Sequence, residues 1–193
     1  MKRAIDEIQK RVEQILPEGR FNHTLGVAYL ASSLAMCYGE DPERAMTAGL
    51  LHDVAKCKSD EQILAECREF QIPVTPVEER NGFLLHAKLG AYYAKSQFQI
   101  TDEEILSAII YHTTGRPGMT FLEKIIFVSD FIEVRRTQNS VPSLALIRQT
   151  AFHDLDLAVY YCLSSTLAYL ESTGNEIDDS TRITFEYYKD KRS

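Results

Sequence analysis

Histidine and aspartate side chains stand in apolar surroundings at several points of this sequence. In the stretch AGLLHDVAK, His52 and Asp53 are adjacent and directly follow Leu50 and Leu51. Burying an imidazole or a carboxylate is costly unless the group is paired or bound to a metal. The pair therefore predicts binding partners elsewhere in the chain.

Three more histidines lie on the apolar faces of predicted helices, close to one end of each helix: His23, His86 and His112. Asp130 likewise follows Ile126 on an apolar helical face. One such histidine is usually a core residue with a local hydrogen bond. Four of the five histidines in this arrangement, one of them beside an aspartate, favour a site for a first-row divalent metal.

The bulk composition indicates a globular protein that binds small anions at a local site. The chain has 193 residues, 45% of them hydrophobic and 25% charged, which suits one domain spanning residues 1–193. Its formal net charge is −7. An acidic chain without a large basic surface predicts no stable nucleic-acid partner.

The chain also lacks the sequence signals of export and of membrane insertion. The N-terminal segment MKRAIDEIQKRVEQIL has no apolar signal-peptide core. No apolar run approaches the roughly 20 residues that span a bilayer. The four cysteines, which form no CxxC pair, are expected to be free thiols in a reducing compartment. We therefore predict a cytoplasmic protein that does not contact a membrane.

The elements that would position these residues are helices. Apolar residues recur at helical spacing almost throughout, and no segment alternates like a strand. One helix is predicted from about Phe21 to Tyr38, ended by Gly39. The next begins with Asp41 as N-cap and Pro42 at the first helical position.

Further signals extend this pattern through the C-terminal half. Thr101 and Glu104 match a capping box. The stretch TFLEKIIFVSDFIEVRR, residues 120–136, predicts one long helix, and residues 143–174 predict two helices broken near His153 and Asp154. The sequence therefore predicts an all-α bundle of about eight to ten helices.

The order of the candidate ligands carries a resemblance. One histidine, the His-Asp pair, two more histidines and a final aspartate resemble the HD-domain metal phosphohydrolases, which are named for the adjacent pair. The resemblance implies a helical bundle with metal ligands His23, His52, Asp53 and Asp130. It implies a divalent metal, with iron favoured and manganese, cobalt and zinc compatible with the same ligands.

Longer motifs narrow the resemblance. RFNHTLGVAYLA, AGLLHDVAK, LLHAKLGA and the stretch from AIIYHTTGRPG to SDFIEVRR are similar to the YqeK family of symmetrical bis(5'-nucleosyl)-tetraphosphatases. These enzymes split diadenosine tetraphosphate into two molecules of ADP. The resemblance covers nearly the whole chain, and it implies a nucleotide substrate.

Catalytic roles are expected for Asp53, His86, His112 and Lys56. His86 and His112 would contact the phosphates and assist the leaving group, or bind a second metal with Asp53 bridging; we expect the single-metal form. Lys56, three residues after Asp53 on the same predicted helical face, would hold a phosphate or pair with the Asp53 carboxylate; we expect the phosphate contact. The expected substrate contacts are Arg20, Asp53, His86, His112, Asp130 and Arg136. The family resemblance adds a nucleotide-contacting segment, made of Thr173, Gly174, Asn175, Glu176, Ile177 and Asp178.

Two other functions fit the same residues. One is a different HD-type phosphohydrolase acting on nucleoside monophosphates, deoxynucleoside triphosphates or guanosine tetraphosphate. The other is a nucleotide-binding regulatory module with a structural metal and no turnover. The aromatic-rich segment 156–170 would serve as core or as the face of a homodimer, and His153 is expected to face solvent or cap a helix.

Overall fold

Helices account for nearly all of the regular structure, as the apolar spacing predicts. The computed structural model describes residues 2–137 and 143–191. Within those ranges the chain forms α1 (Lys2–Ile15), α2 (Glu18–Tyr38), α3 (Pro42–Leu51), α4 (Asp60–Glu69), α5 (Pro76–Arg80), a 3₁₀ helix (Gly82–Leu85), α6 (His86–Ser96), α7 (Glu103–Tyr111), α8 (Phe121–Ile132), α9 (Leu144–Ala151), α10 (Leu155–Thr173) and α11 (Asp179–Asp190). None of the described helices is long and apolar enough to cross a membrane.

The all-α prediction is confirmed, although the described residues contain eleven α-helices rather than eight to ten. The difference comes partly from α5, whose five residues are too few to give a periodic pattern. Helix α2 begins at Glu18, three residues before the predicted start. It ends as predicted, at Gly39 with φ of 75°.

Local capping signals were right at one helix and wrong at another. Asp41 caps α3, and its side chain accepts hydrogen bonds from two backbone N–H groups. The Thr101–Glu104 capping box is absent, because Asp102 caps α7 instead. The Asp102 carboxylate also binds Arg44 through two hydrogen bonds of 2.7 and 2.8 Å, a tertiary contact that threonine would not make.

Helix α8 is shorter than the stretch of residues 120–136 predicted to form it. It ends at Ile132, and Glu133 leaves the helix with extended backbone angles. The Arg148 guanidinium donates to the carbonyl oxygens of Ile132 and Glu133 at 2.9 and 2.7 Å. These bonds satisfy carbonyl groups at the helix end that a continued helix would have used.

Close packing of α2 on α3 and α8 brings the site together. Helix α3 also packs against α7, and α7 against α6 and α8. Small residues permit the α2–α3 crossing, because a Cβ atom at Gly49 would lie 2.6 Å from the Cα atom of Ala28. Five helices thereby direct side chains toward one region of the core.

The C-terminal helices pack beside this core. Helix α10 contacts α8, α9 and α11, and one of its faces is buried through residues such as Val159 and Leu163. The break between α9 and α10 lies at the predicted place, with Asp154 as N-cap. Segment 156–170 is thus partly core, while Tyr169 is 61% exposed. The assignment of residues 1–193 to one domain stays a prediction.

Candidate metal centre

Two histidines and two aspartates meet where α2, α3 and α8 pack together. His23 lies inside α2, His52 and Asp53 directly follow α3, and Asp130 lies near the end of α8. His23 Nε2 is 2.9 Å from Asp130 Oδ1. His52 Nε2 is 3.5 Å from Asp53 Oδ2 and 3.9 Å from Asp130 Oδ1. The structure therefore brings together the four residues predicted as metal ligands.

The other two predicted histidines adjoin this cluster through Asp53. The Nε2 atoms of His86 and His112 lie 3.1 Å apart. They are 3.3 and 3.6 Å from Asp53 Oδ1. Asp53 thus directs one carboxylate oxygen toward His52 and the other toward the His86–His112 pair.

Backbone carbonyl groups orient three of the four imidazole rings. His52 Nδ1 is 2.7 Å from the carbonyl oxygen of Gly49, and His112 Nδ1 is 2.7 Å from that of Ile109. His86 Nδ1 makes the equivalent contact with the carbonyl three residues earlier. Because a carbonyl only accepts, each Nδ1 carries the proton and each Nε2 faces the centre of the cluster.

His23 is oriented differently, by a carboxylate distant in sequence. Its Nδ1 lies 3.1 Å from Glu133 Oε1, a buried contact between residues 110 positions apart. Glu133 was not among the predicted site residues. Its only local signal is its position three residues after Asp130, at the end of an apolar helix.

The residues present fit a divalent cation. His52 Nε2 is fully buried, and the described residues offer it no hydrogen-bond partner. Ligand atoms of His23, His52 and Asp130 all lie within 4.8 Å of one another, and so do those of His52, Asp53 and His112. An unpaired imidazole nitrogen beside two carboxylates is the donor set that first-row divalent metals prefer.

The charges of the cluster residues also suit the binding of a divalent cation. Burial raises the pKa of Asp53, but the neighbouring imidazoles of His52 and His112 outweigh this effect and hold that pKa well below its usual value. Burial likewise opposes ionisation of Asp130, but His23 and His52 lower its pKa. Burial lowers the pKa of His86 to about 4. Both carboxylates are therefore ionised and His86 is neutral at neutral pH.

Two arginines lie between the carboxylates and the solvent. Arg20 Nη1 is 2.8 Å from Asp53 Oδ2, and Arg136 Nη2 is 3.2 Å from Asp130 Oδ1. Their side chains are 36% and 42% exposed, whereas that of Asp53 is 4% exposed. Both guanidinium groups can therefore meet an anion arriving from solvent while they contact the cluster.

Lys56 lies next to the cluster, but it does so from a turn and not from the predicted helix. Helix α3 ends at Leu51, so Lys56 lies in a turn and shares no helical face with Asp53. Its Nζ is nevertheless 3.2 Å from His86 Nδ1. Burial lowers its pKa, while Asp53 and Asp130 act in the opposite direction.

Within the predicted segment Thr173–Asp178, Glu176 and Asp178 lie near elements that carry residues of the cluster. Glu176 accepts hydrogen bonds from Arg80 and Asn81, which precede the 3₁₀ helix leading to His86. Asp178 caps α11 and lines a cleft of about 80 Å³ that Thr113 also lines. Thr113, which was not among the predicted site residues, has its hydroxyl oxygen 3.2 Å from His112 Nε2.

His153 has no place in this cluster. It is exposed and precedes Asp154, the N-cap of α10. Its solvent-facing position agrees with the expectation from sequence.

The chain is similar to several known proteins. A family model described as the HD domain matches residues 20–145. A symmetrical bis(5'-nucleosyl)-tetraphosphatase of Bacillus subtilis (strain 168) is 36% identical over 176 residues, 91% of this chain and 92% of the relative. A protein of the same name from Halalkalibacterium halodurans is 37% identical, covering 90% of this chain and 91% of its own. A crystal structure from Clostridium acetobutylicum, described as a predicted HD superfamily hydrolase involved in NAD metabolism, has a TM-score of 0.91 at 35% identity, over 96% of this chain and 97% of that one.

Proposed function

This chain belongs to the HD-domain family and, within it, to the symmetrical bis(5'-nucleosyl)-tetraphosphatases, and from that premise we propose that it hydrolyses dinucleoside tetraphosphates. Diadenosine tetraphosphate is the expected substrate. Cleavage at the central anhydride releases two nucleoside diphosphates. The observation that carries the proposal is the convergence of His23, His52, Asp53 and Asp130, with His52 Nε2 buried and unpaired among the described residues.

His23, His52, Asp53 and Asp130 would hold the divalent metal. When bound, such a cation lowers the pKa of a coordinated water and neutralises charge on the phosphates. We propose iron as the resident metal, on the family resemblance; the ligand types also suit manganese, cobalt and zinc. Elemental analysis of protein purified without added metal would identify it, and zinc or manganese at one equivalent would contradict iron.

The chain's own cations would bind the substrate. Arg20 and Arg136 at the rim, and Lys56 beside His86, supply positive charge around the carboxylates. A guanidinium group can bind a phosphate through two hydrogen bonds. These three residues would therefore hold the polyphosphate in register, so that the central anhydride lies at the metal centre. Thr173–Asp178 would contact the nucleoside from the neighbouring cleft.

The His86–His112 pair supports two different roles. Both Nδ1 atoms donate to backbone carbonyls, so the two Nε2 lone pairs face each other at 3.1 Å, where they can share one additional proton or a cation. A proton held there would be available to the leaving phosphate oxygen. We propose this proton-donating role. In the alternative, His86 and His112 would help to hold a second metal together with Asp53, and the orientation of Asp53 toward both halves of the site supports that alternative.

The first test is a product analysis. Metal-loaded protein is incubated with diadenosine tetraphosphate, and the nucleotides are separated by chromatography. We expect ADP alone, with the rate reduced at least about 1,000-fold in Asp53→Ala, since removing a metal ligand removes the main source of electrostatic stabilisation. His153→Ala is the matched control, because that side chain is exposed outside the cluster.

The products distinguish the alternatives. ATP plus AMP would contradict symmetrical cleavage. No turnover of diadenosine tetraphosphate, together with hydrolysis of a nucleoside monophosphate, a deoxynucleoside triphosphate or guanosine tetraphosphate, would favour another HD-type phosphohydrolase.

We also propose a cellular location and an assembly state. All four cysteines are free thiols, and Cys67 and Cys162 are buried, which supports a reducing cytoplasm. The acidic net charge of −7 argues against a stable nucleic-acid partner. A homodimer is proposed from the exposed part of segment 156–170, and light scattering after size-exclusion chromatography would test it.

A further inference from the structure

His23 stands apart from the other three histidines because of where it lies in its helix. His52 and His112 follow the last residues of α3 and α7, where carbonyl groups lack intrahelical partners. Each imidazole can therefore donate from Nδ1 to its own chain. His23 lies inside α2, where the carbonyl groups are used by the helix. Its Nδ1 needs an acceptor from another element.

We propose that Glu133 is a positioning residue for the metal centre and that Gly26 provides the space that Glu133 needs. Glu133 would hold the proton of His23 on Nδ1, leaving the Nε2 lone pair for a cation. A carboxylate that orients a metal-bound imidazole is a general device for raising metal affinity. The inference rests on the proposed cation site but not on the identity of the substrate.

Glu133 is fixed on all sides. It is 1% exposed, and its Oε1 lies 3.1 Å from His23 Nδ1. Its Oε2 accepts a hydrogen bond of 2.8 Å from the Arg135 backbone. Arg148 donates to the carbonyl oxygen of Glu133 at 2.7 Å. Both carboxylate oxygens and the backbone are thus held, so the side chain has little freedom to leave His23.

Gly26 lies one helical turn after His23, directly against this carboxylate. A Cβ atom at position 26 would lie 2.6 Å from Glu133 Oε2, closer than van der Waals contact allows. Any larger residue would displace the carboxylate or the helix. Gly26 and Glu133 are therefore two separate points at which the same contact can be disturbed.

Glu133→Gln tests the tautomer directly. The glutamine amide offers one acceptor, its carbonyl oxygen, and its NH₂ group can only donate. His23 Nδ1–H and the Arg135 N–H, however, both require acceptors. If the amide oxygen serves Arg135, its NH₂ faces His23 and moves the ring proton to Nε2. We expect Mn²⁺ to bind about 10- to 100-fold more weakly, measured by calorimetry.

Gly26→Ala disturbs the contact without changing the carboxylate. We expect the same loss of Mn²⁺ affinity, because the added methyl group pushes Glu133 away from His23. Gly19→Ala is the matched control on the same helix, since its Cβ would meet nothing within 4 Å. Glu123→Gln controls for the loss of a buried carboxylate, because Glu123 serves the N-terminus of α8 instead.

A second readout separates positioning from a structural role. A positioning defect should be overcome by excess Mn²⁺, so hydrolysis by Glu133→Gln should rise toward the wild-type rate as the metal concentration increases. Wild-type Mn²⁺ affinity in folded Glu133→Gln or Gly26→Ala would overturn the inference. If wild-type protein bound no Mn²⁺, the proposed metal site would be wrong, and the inference would fall with it. Mn²⁺ binding without any hydrolysis would overturn only the proposed substrate.

Discussion

At the scale of single residues, Asp53 connects the two halves of the site. One carboxylate oxygen faces His52 and Arg20, and the other faces His86 and His112. An ionised Asp53 therefore requires compensation from several cationic or donor groups at once. The same cluster that prepares the protein for a cation makes its cation-free form sensitive to protons.

That sensitivity gives a prediction for His86. Its pKa in the folded protein is about 4, whereas an ordinary histidine has a pKa near 6.5. Between these values the unfolded chain binds more protons, so the free energy of unfolding falls as the pH decreases. With metal chelated, we expect His86 to account for a loss of roughly 2 kcal/mol between pH 7 and pH 5. Urea unfolding at both pH values measures it.

The control is urea unfolding of His86→Gln at the same two pH values. Its stability should fall by roughly 2 kcal/mol less than that of the wild type over this range. His52 opposes the effect: burial lowers its pKa, but Asp53 outweighs burial and raises it, so His52 adds stability as the pH falls. Comparing the two proteins cancels that contribution. Equal pH dependence would contradict a buried neutral His86.

The sequence predicts ligands better than it predicts what orients them. His52 and Asp53 were found because an imidazole and a carboxylate in an apolar stretch require either buried partners or a metal. Glu133 gave no such signal, since a glutamate near the end of a predicted helix is usually solvated. Its partner, His23, lies 110 residues away, and only the packing of α2 on α8 brings the two together.

At the scale of elements, the α2–α3 crossing sets the distance between His23 and His52. An alanine in a helix is normally about 1 kcal/mol better than a glycine. At Gly49, however, the new Cβ would lie 2.6 Å from the Cα atom of Ala28, and overpacking of a core costs about 1–3 kcal/mol or more. We expect Gly49→Ala to lose about 1–2 kcal/mol of unfolding free energy in urea.

Gly90 offers the matched comparison in α6. Its Cβ would meet the nearest atom, the His52 carbonyl oxygen, at 3.5 Å, an ordinary contact. Gly90→Ala should therefore be neutral or slightly stabilising. Equal effects of the two substitutions would mean that helix propensity, and not the helix crossing, decides the outcome.

Helix boundaries were predictable where the signal is local. Asp41 followed by Pro42 fixes the start of α3 without help from other elements. At α7, two adjacent residues could each cap the helix, and the bidentate contact from Arg44 favours Asp102. The end of α8 is likewise set by Arg148, which is 15 residues from Glu133. No local sequence pattern predicts the N-cap of α7 or the end of α8, because both depend on arginines distant in sequence.

At the scale of the whole molecule, the proposed substrate is highly anionic, whereas the protein itself is acidic. The net charge of −7 would repel a polyphosphate, so binding depends on local charge. Arg20, Lys56 and Arg136 supply it beside the carboxylates. A bound divalent cation would add to this local field, so metal and substrate binding should reinforce each other.

Metal binding should also stabilise the fold as a whole, because its ligands come from α2, α8 and the turn after α3. A cation that binds only the folded state at 100 times its Kd adds about 2.7 kcal/mol. For a chain of this size, 1 kcal/mol shifts Tm by about 2–4 °C, so saturation should raise Tm by about 5–10 °C. Calorimetric scans with Mn²⁺ and with chelator measure the difference.

His52→Ala decides whether this stabilisation comes from the proposed centre. The variant removes one buried imidazole, which packs mainly against the rings of His23 and His112, so we expect it to fold yet lose the metal-dependent rise in Tm. His153→Ala should retain the full rise, because its side chain is exposed outside the cluster. An unchanged rise in His52→Ala would place the cation elsewhere. Failure of His52→Ala to fold, with wild-type protein also unfolding in chelator, would make the metal a structural requirement.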